Sequence, residues 1–197
     1  FLNFDFNYDK RNQKFQTSSG FRSYYSLNLP MVSDNNTLKN YYNYSHYFDL
    51  FDQNISSLSL MLSSAKSING KNIKLSERIN LPSRKLRGFE AGRIGPKDGE
   101  DFIGGNYAAA INFSSTIPQL FEESQNVDFL FFIDSANIWG VDYNSALDDG
   151  GSIRSSTGIA LDWFSPIGPL NFSLAHPITK KNGDKTETFR FNLGTTF

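Results

Sequence analysis

The chain ends in Phe189-Arg190-Phe191-Asn192-Leu193-Gly194-Thr195-Thr196-Phe197, a stretch in which two kinds of residue alternate. The odd-numbered positions carry aromatic, aliphatic and threonine side chains, whereas the even-numbered positions carry arginine, asparagine, glycine and threonine. Successive side chains of a β-strand point to opposite faces. This pattern therefore predicts a strand with one apolar face and one polar face.

The same alternation recurs along the whole chain and predicts nine strands, most of them about ten residues long. This is the length that a tilted strand needs to cross the hydrocarbon layer of a membrane. The predicted strands lie at about 1–11, 20–32, 38–51, 55–67, 105–117, 127–139, 153–164, 169–178 and 187–197.

The polar faces of these strands distinguish between the two folds that the strands could build. A soluble β-sandwich has an apolar inner face and a polar, usually charged outer face. The polar faces here carry mainly Ser, Asn, Thr, Gly and Ala, as the wet lumen of a membrane barrel would. The mean hydropathy of −0.42 agrees with either fold. The residues therefore favour an all-β fold, an antiparallel transmembrane β-barrel.

The composition excludes several classes of function. A formal net charge of −1 argues against a nucleic-acid binder that depends on phosphate contacts. The absence of cysteine excludes disulfide scaffolds and cysteine-based zinc sites. The longest apolar run, at 129–133, is far shorter than the roughly 18–20 residues of a membrane-spanning helix.

The chain lacks the residue patterns of an enzyme active site. His46 lies among tyrosines on an apolar face, and His176, far away in sequence, precedes a proline at a strand end. The acidic pairs at 122–123 and 148–149 fall in predicted loops, where solvated charge is the simpler explanation. No metal-ligand spacing, phosphate-binding loop or nucleophile elbow is present. The sequence predicts that the protein is not an enzyme and uses no metal ion and no cofactor.

The connections between the predicted strands alternate in length. Short ones lie at 52–54 and 165–169, and long polar ones at 68–104, 140–152 and 179–186. Outer-membrane barrels have short periplasmic turns and long external loops. This alternation predicts that the C-terminus lies on the periplasmic side and the three long loops on the external side.

The odd number of predicted strands indicates that the barrel is incomplete. Bacterial single-chain barrels have an even number of strands. An open nine-stranded sheet would also leave two long unpaired edges in lipid. We therefore expect residues 1–197 to form a partial barrel domain, the C-terminal portion of a larger barrel.

The longest connection carries the most distinctive motif of the chain. It contains Leu86-Arg87-Gly88-Phe89-Glu90 and, after it, the Gly-rich stretches 92–97 and 104–106. Gly-Pro-Leu at 168–170 and Gly-Asp-Lys at 183–185 follow near the C-terminus. In this order the motifs resemble the C-terminal barrel of BamA-type outer-membrane protein insertases. The resemblance covers residues from about 75 to 197 well and residues 1–70 only in pattern.

The resemblance implies a complete barrel of about sixteen strands. It also implies that the 68–104 loop folds back into the lumen, where its tip of Arg87, Gly88 and Phe89 docks on the inner wall. An arginine inside a barrel needs a partner, because an unpaired desolvated charge is costly.

Two wall residues are the expected partners of the loop tip. Asp134 falls on the face opposite Phe129, Phe131 and Ile133, so it faces the lumen, where Arg87 could pair with it through two hydrogen bonds. The alternative is that Asp134 is a carboxylate solvated in the lumen. Asn112 stands on the preceding strand where the family usually has Glu, which retains a hydrogen-bond acceptor but no charge.

The resemblance implies that the protein folds and inserts outer-membrane β-barrel proteins in the cell outer membrane. Its partners would be unfolded client barrels, assembly-complex lipoproteins and outer-membrane lipids with lipopolysaccharide, and nucleic acid would not be one. The last strand would form a weakly paired seam with the first strand of the complete barrel, where client strands pair by their edges. Residues assigned to this strand and to its C-terminal assembly signal are Phe189, Phe191, Leu193, Gly194 and Phe197. Gly194 is the position of an expected kink, and the alternative is that it only makes room in a crowded lumen.

Two other functions remain open at this point. A two-partner secretion transporter of the same superfamily also has an Arg-Gly-Phe loop, although the motifs at 168–170 and 183–185 disfavour it. A passive porin would be a diffusion channel and would lack the inward plug.

Overall fold

In a computed structural model the chain forms one large antiparallel sheet. The structure describes residues 2–14, 16–31, 36–118, 126–166 and 168–193. The strands are β1 (Leu2–Asp9), β2 (Gly20–Leu29), β3 (Thr37–Phe48), β4 (Ser56–Ser67), β5 (Lys97–Asp98), β6 (Asp101–Phe102), β7 (Tyr107–Thr116), β8 (Val127–Trp139), β9 (Arg154–Ser165), β10 (Gly168–Thr179) and β11 (Phe189–Leu193).

The nine long strands pair only with their neighbours, in the order β1-β2-β3-β4-β7-β8-β9-β10-β11. The short strands β5 and β6 form a separate hairpin inside the 68–104 loop. Three short 3₁₀ turns occur at Leu75–Glu77, Ser83–Lys85 and Ser145–Leu147. Within the described ranges, no helix is long and apolar enough to cross a membrane. The predicted all-β, antiparallel fold is confirmed, and the sheet is open, as expected for part of a barrel.

The two faces of the sheet differ as the alternation predicts. Apolar side chains of one face are exposed, for example Ile111, Ile133 and Phe191. On the opposite face Asn112 and Asp134 are buried, because the 68–104 loop lies across it. The structure thus places the long loop on the polar, lumen-side face.

Small residues on the wall make room for the loop. Alanines of β7 and β8 lie under apolar side chains of the loop and form one buried cluster with them. Its members are Met61, Leu81, Leu86, Phe89, Ile94, Ala108, Ala110, Ala136 and Ile138.

The last strand differs from its prediction at the outer end. The alternation predicts a strand from 187, whereas β11 begins at Phe189. Thr188 still accepts a hydrogen bond from the amide of Ala175 in β10, but Lys185, Thr186 and Glu187 pair with the loop instead. Gly194 and Phe197 lie outside the described residues, so the kink and the terminal signal stay predictions.

Candidate functional site

The tip of the loop reaches the middle of the lumen-side face through a glycine. Gly88 follows Arg87 with φ +88°, a left-handed conformation that L-residues rarely adopt. A Cβ atom on Gly88 would lie 3.2 Å from the Cβ atoms of both Ala175 and Ser156. Gly88 therefore serves both the backbone turn and the close approach of the loop to the wall.

Arg87 forms a two-point ion pair with the wall. Its Nε donates to Oδ2 of Asp134 at 2.7 Å, and its Nη2 donates to Oδ1 at 2.8 Å. The backbone amide of Arg87 also donates to Oδ2, at 3.0 Å. Asp134 is 0% exposed, so the alternative of a solvated carboxylate is wrong. Two parallel charge-assisted bonds fix both the position and the orientation of the tip.

Three further wall residues complete the cradle of Arg87. The guanidinium carbon lies 3.5 Å from the ring centroid of Phe132, a cation–π contact. Nη2 donates to Ser114 Oγ at 3.3 Å, and Ser156 Oγ donates to the carbonyl oxygen of Arg87 at 2.5 Å. A Cβ atom on Gly158 would lie 2.8 Å from the Phe132 ring, so Gly158 makes room for that ring.

Sequence reasoning did not identify Phe132 as part of the site. The available signal was its position, two residues before Asp134 and hence on the same face of β8. An aromatic ring beside a lumen carboxylate offers a surface on which an arginine stacks.

Phe89 anchors the tip by burial. Its side chain is 2% exposed and belongs to the cluster of loop and wall residues defined above. Full burial of such a side chain contributes about 1.5–3 kcal/mol. Within the tip, Arg87 supplies the polar contact with the wall and Phe89 the apolar contact.

Asn112 takes part in the site, but not as the acceptor that we expected. Its Nδ2 donates to Asp134 Oδ1 at 2.9 Å and to the carbonyl oxygen of Lys85 at 3.0 Å. Its Oδ1 is buried and has no partner among the described residues. In this structure Asn112 is a donor and not the expected acceptor for Arg87, because its Nδ2 faces two acceptors, Asp134 Oδ1 and the Lys85 carbonyl.

Asn112→Asp tests this assignment. The new carboxylate would face Asp134 where the amide now donates, and the Lys85 carbonyl would lose its donor. We expect docking of the loop to weaken by about 2–3 kcal/mol. Faster trypsin cleavage within the loop of the full-length protein would report the loss.

Asn192→Asp is the matched control, since Asn192 lies on the same face but bonds to Asn171 and not to the loop. Cleavage of that variant should match the wild type. Greater protection of the loop in Asn112→Asp would mean that Arg87 recruits the new carboxylate, contrary to the donor role.

Lys85 adds a polar contact on the other side of the tip. Its Nζ donates to Asn43 Oδ1 and to Ser59 Oγ, both at 2.9 Å. Burial, together with the neighbouring charges of Arg84 and Arg87, lowers the pKa of Lys85 to about 8 although Asp134 opposes the shift. The loop is therefore held by β3 and β4 as well as by β7 and β8.

A second buried charge cluster lies at the end of the sheet that carries the long connections 140–152 and 179–186. Arg154, 0% exposed, donates from Nε and Nη2 to the two carboxylate oxygens of Asp184, both at 3.0 Å. It also donates to Asp149 at 2.5 Å and to Asn137 at 2.8 Å. Asp149 and Asp184 belong to different external loops, so Arg154 joins both loops to the wall.

The pKa of Asp149 reflects this arrangement. Burial alone would raise the pKa of its carboxyl group, but hydrogen bonds from Lys181, Ser152 and Arg154 lower it below its usual value. The Asp149 carboxylate therefore stays ionised at neutral pH, where it faces Arg154 and Lys181.

The apolar residues assigned to the last strand lie on the opposite side of the sheet from the loop tip. Phe189, Phe191 and Leu193 are exposed on the apolar face, where Phe191 packs on Phe172 with ring centroids 4.9 Å apart. The structure therefore does not bring the two predicted groups of site residues together. Arg190, on the lumen side of the same strand, contacts the loop and was missed by the sequence reasoning.

Comparison with known proteins gives a consistent family. Residues 1–197 match the Omp85 superfamily domain. The chain is 32% identical over 139 residues to outer membrane protein assembly factor BamA of Neisseria meningitidis serogroup B, covering 57% of this chain and 17% of that protein. It is 28% identical over 155 residues to BamA of Neorickettsia risticii, covering 77% and 21%. A SAM50-like protein of Schizosaccharomyces pombe is 33% identical over 137 residues, covering 64% and 28%.

A solved structure shares the fold. The crystal structure of BamA from Haemophilus ducreyi lacking POTRA domains 1–3 superposes with a TM-score of 0.86 at 31% identity, covering 96% of this chain and 41% of that chain. The chain spans between 17% and 28% of the length of the three curated relatives named above. Relatives named as outer-membrane proteins confirm the predicted location in the cell outer membrane. By its sequence and by its fold, the chain belongs to the Omp85 superfamily.

Proposed function

We propose that the protein containing this chain folds β-barrel proteins and inserts them into the outer membrane. The observation that carries the proposal is the Arg87–Asp134 docking of the loop on the lumen wall, in a chain whose relatives are named assembly factors. The chain covers only part of those relatives, so the activity is inferred for the whole protein.

The edge of the last strand is the proposed working surface. No described strand pairs with the side of β11 that faces away from β10. The N–H and C=O groups of such an edge can template an incoming strand. In the complete barrel this edge would meet the first strand, and a weak seam there would open to a client strand.

The docked loop also supports an insertase over the two alternatives. A porin needs an open lumen, whereas here apolar loop residues cover the lumen side of β4, β7 and β8. The named relatives are assembly factors, which favours assembly over two-partner secretion. Unfolded client barrels, accessory lipoproteins and lipopolysaccharide are the proposed partners, and we expect no cofactor and no chemical catalysis.

Locking the seam tests the function. We would place one cysteine at Asn192 in β11 and a second opposite it on the first strand of the full-length protein, reconstituted in liposomes. Folding of a urea-denatured client barrel is followed by its mobility shift in gels. The oxidised protein should fold clients no faster than protein-free liposomes, because the edge is occupied, and reductant should restore the rate.

Each single-cysteine variant, treated with oxidant and reductant, controls for damage to the protein. If the locked protein folds clients at the unlocked rate, the seam is not the working surface. If the wild-type protein itself gives no acceleration over liposomes, the proposed function is wrong.

A further inference from the structure

The hairpin of β10 and β11 stops pairing partway along β10. The ladder ends at Leu174 opposite Phe189, and one further hydrogen bond runs from the amide of Ala175 to the carbonyl of Thr188 at 2.8 Å. Alternate residues of a strand face the same neighbour, so the next amide in line belongs to residue 177. Pro177 has no N–H to donate. The chain before β11 therefore diverges from β10 at this point.

The diverging segment pairs with the docked loop instead. The contacts are the amide of Glu187 with the carbonyl of Gly88 at 3.1 Å, the amide of Glu90 with the carbonyl of Lys185 at 3.0 Å, the amide of Lys185 with the carbonyl of Arg93 at 3.2 Å, and an antiparallel bridge between Phe89 and Thr186. The loop tip thus replaces β10 as the partner of the last strand at its external end.

Arg190 strengthens this junction from the last strand. Its side chain is 8% exposed on the lumen side of β11. The guanidinium donates to the carbonyl oxygens of Ser83 and Phe89, each at 2.5 Å, and pairs with Glu187 at 2.6 Å. The Arg190 guanidinium therefore binds one loop carbonyl before Arg87 in the chain, that of Ser83, and one after it, that of Phe89.

The opposite side of the tip is held by the wall. Arg87 pairs with Asp134 of β8, and Gly88 packs against Ala175 and Ser156 of β10 and β9. The tip is therefore a bridge, with Asp134 at one end and the last strand at the other. If the tip loses its contacts with Asp134, the last strand loses part of its support, and if the tip loses its contacts with the last strand, the pairing with Asp134 is weakened.

We propose that Arg190 is a positioning residue that clamps the external end of the last strand to the loop, so that strand and loop tip move as one unit. Three backbone hydrogen bonds and two hydrogen bonds from the buried Arg190 side chain join the last strand and the segment before it to the loop. Coupling between two sites is reciprocal, so loss of Arg190 must loosen the loop and loss of Arg87 must loosen the strand. This role rests on the proposed function: the clamp would set the distance between the free edge of β11 and the first strand of the complete barrel.

Hydrogen–deuterium exchange of the full-length protein in nanodiscs, without any client, tests the clamp. In Arg190→Gln the backbone amides of 88–93 and 184–188 should exchange about tenfold to a hundredfold faster, because charge-assisted hydrogen bonds are lost. Arg190→Lys keeps the charge but cannot span both carbonyls, so its rates should be intermediate. In Arg87→Ala the amides of Lys185 and Glu187 should also exchange faster, although neither residue touches the Arg87 side chain.

Two controls separate clamping from general loosening. Peptides of β2 (Gly20–Leu29), which lie away from the junction, should keep wild-type exchange in every variant. Phe191→Leu, on the opposite face of the last strand, should leave the loop amides unchanged. Wild-type exchange of 88–93 in Arg190→Gln, or an equal rise in β2, would overturn the proposal.

The exchange experiment tests the clamp and the client assay tests the proposed function, so either hypothesis can fail while the other stands. If Arg190→Gln does not fold, Arg190→Lys against the wild type gives the same comparison. Because no client is present, a protein without insertase activity still reports on the clamp. Conversely, an active insertase whose loop and last strand exchange independently would refute the clamp and leave the proposed function standing.

Discussion

Arg154→Met should lower the free energy of unfolding of the full-length protein by about 3–5 kcal/mol. Asp149 and Asp184 are buried, and the substitution removes the cation that both of them face. Methionine fills much of the space of the arginine stem, so the loss comes mainly from two buried carboxylates that lose their arginine, although Asp149 keeps its ion pair with Lys181. Urea unfolding in detergent, followed by gel mobility, measures the change.

Restoring the charge balance should recover much of that loss. The triple variant Arg154→Met, Asp149→Asn and Asp184→Asn removes the two carboxylates that have lost their arginine and should be more stable than Arg154→Met alone. Arg93→Met is the matched control, because Arg93 is an exposed arginine of the loop, and it should change stability by less than about 0.5 kcal/mol. Equal stability of the single and triple variants would contradict the role assigned to the cluster.

Arg87→Ala should undock the loop tip at a cost of about 3 kcal/mol or more. Among the described residues, the substitution leaves the fully buried Asp134 with Asn112 as its one side-chain donor, and it removes the contact with Phe132. A cost of this size raises the open population of the loop roughly a hundredfold. Limited trypsin digestion at Lys85 under conditions of fast reclosing measures that population.

A double-mutant cycle identifies the partner. Asp134→Asn should weaken docking as well, and the double variant should lose less than the sum of the two single losses, because both remove the same contact. Additive losses would mean that Arg87 and Asp134 stabilise the loop independently. Assembly activity of the full-length protein should fall with docking in all three variants.

The alternation of residue types was sufficient to predict the strands and their faces. Side chains of a strand alternate strictly, so Asp134 had to lie opposite Phe131 and Ile133 wherever the strand was placed. The family resemblance implied that Arg87 docks inside the lumen, and the alternation placed Asp134 on the face where it could meet Arg87. Both steps were needed to predict the Arg87–Asp134 contact.

Other parts of the site required the tertiary structure. The alternation along a strand indicates which face a residue occupies. It indicates neither the register of that residue against neighbouring strands nor whether its side chain donates or accepts hydrogen bonds. Asn112 could equally have been an acceptor or a donor, and only the position of Asp134 Oδ1 and the Lys85 carbonyl made it a donor. Phe132 lay on the predicted lumen face, yet its stacking under Arg87 depends on how deep the loop descends.

The longest-range contacts were the least accessible to sequence reasoning. Arg190 and the carbonyl of Phe89 are 101 positions apart, and their contact depends on where Pro177 ends the β10–β11 ladder, to which Arg190 belongs. Arg154 likewise joins two loops that have no sequence relationship to each other. The residue pattern determined an all-β chain with one apolar and one polar face, and the resemblance of its motifs implied that the Arg-Gly-Phe loop folds into the lumen. The register between strands and the path of the loop, which are set by packing of the whole sheet, decided which buried charges meet.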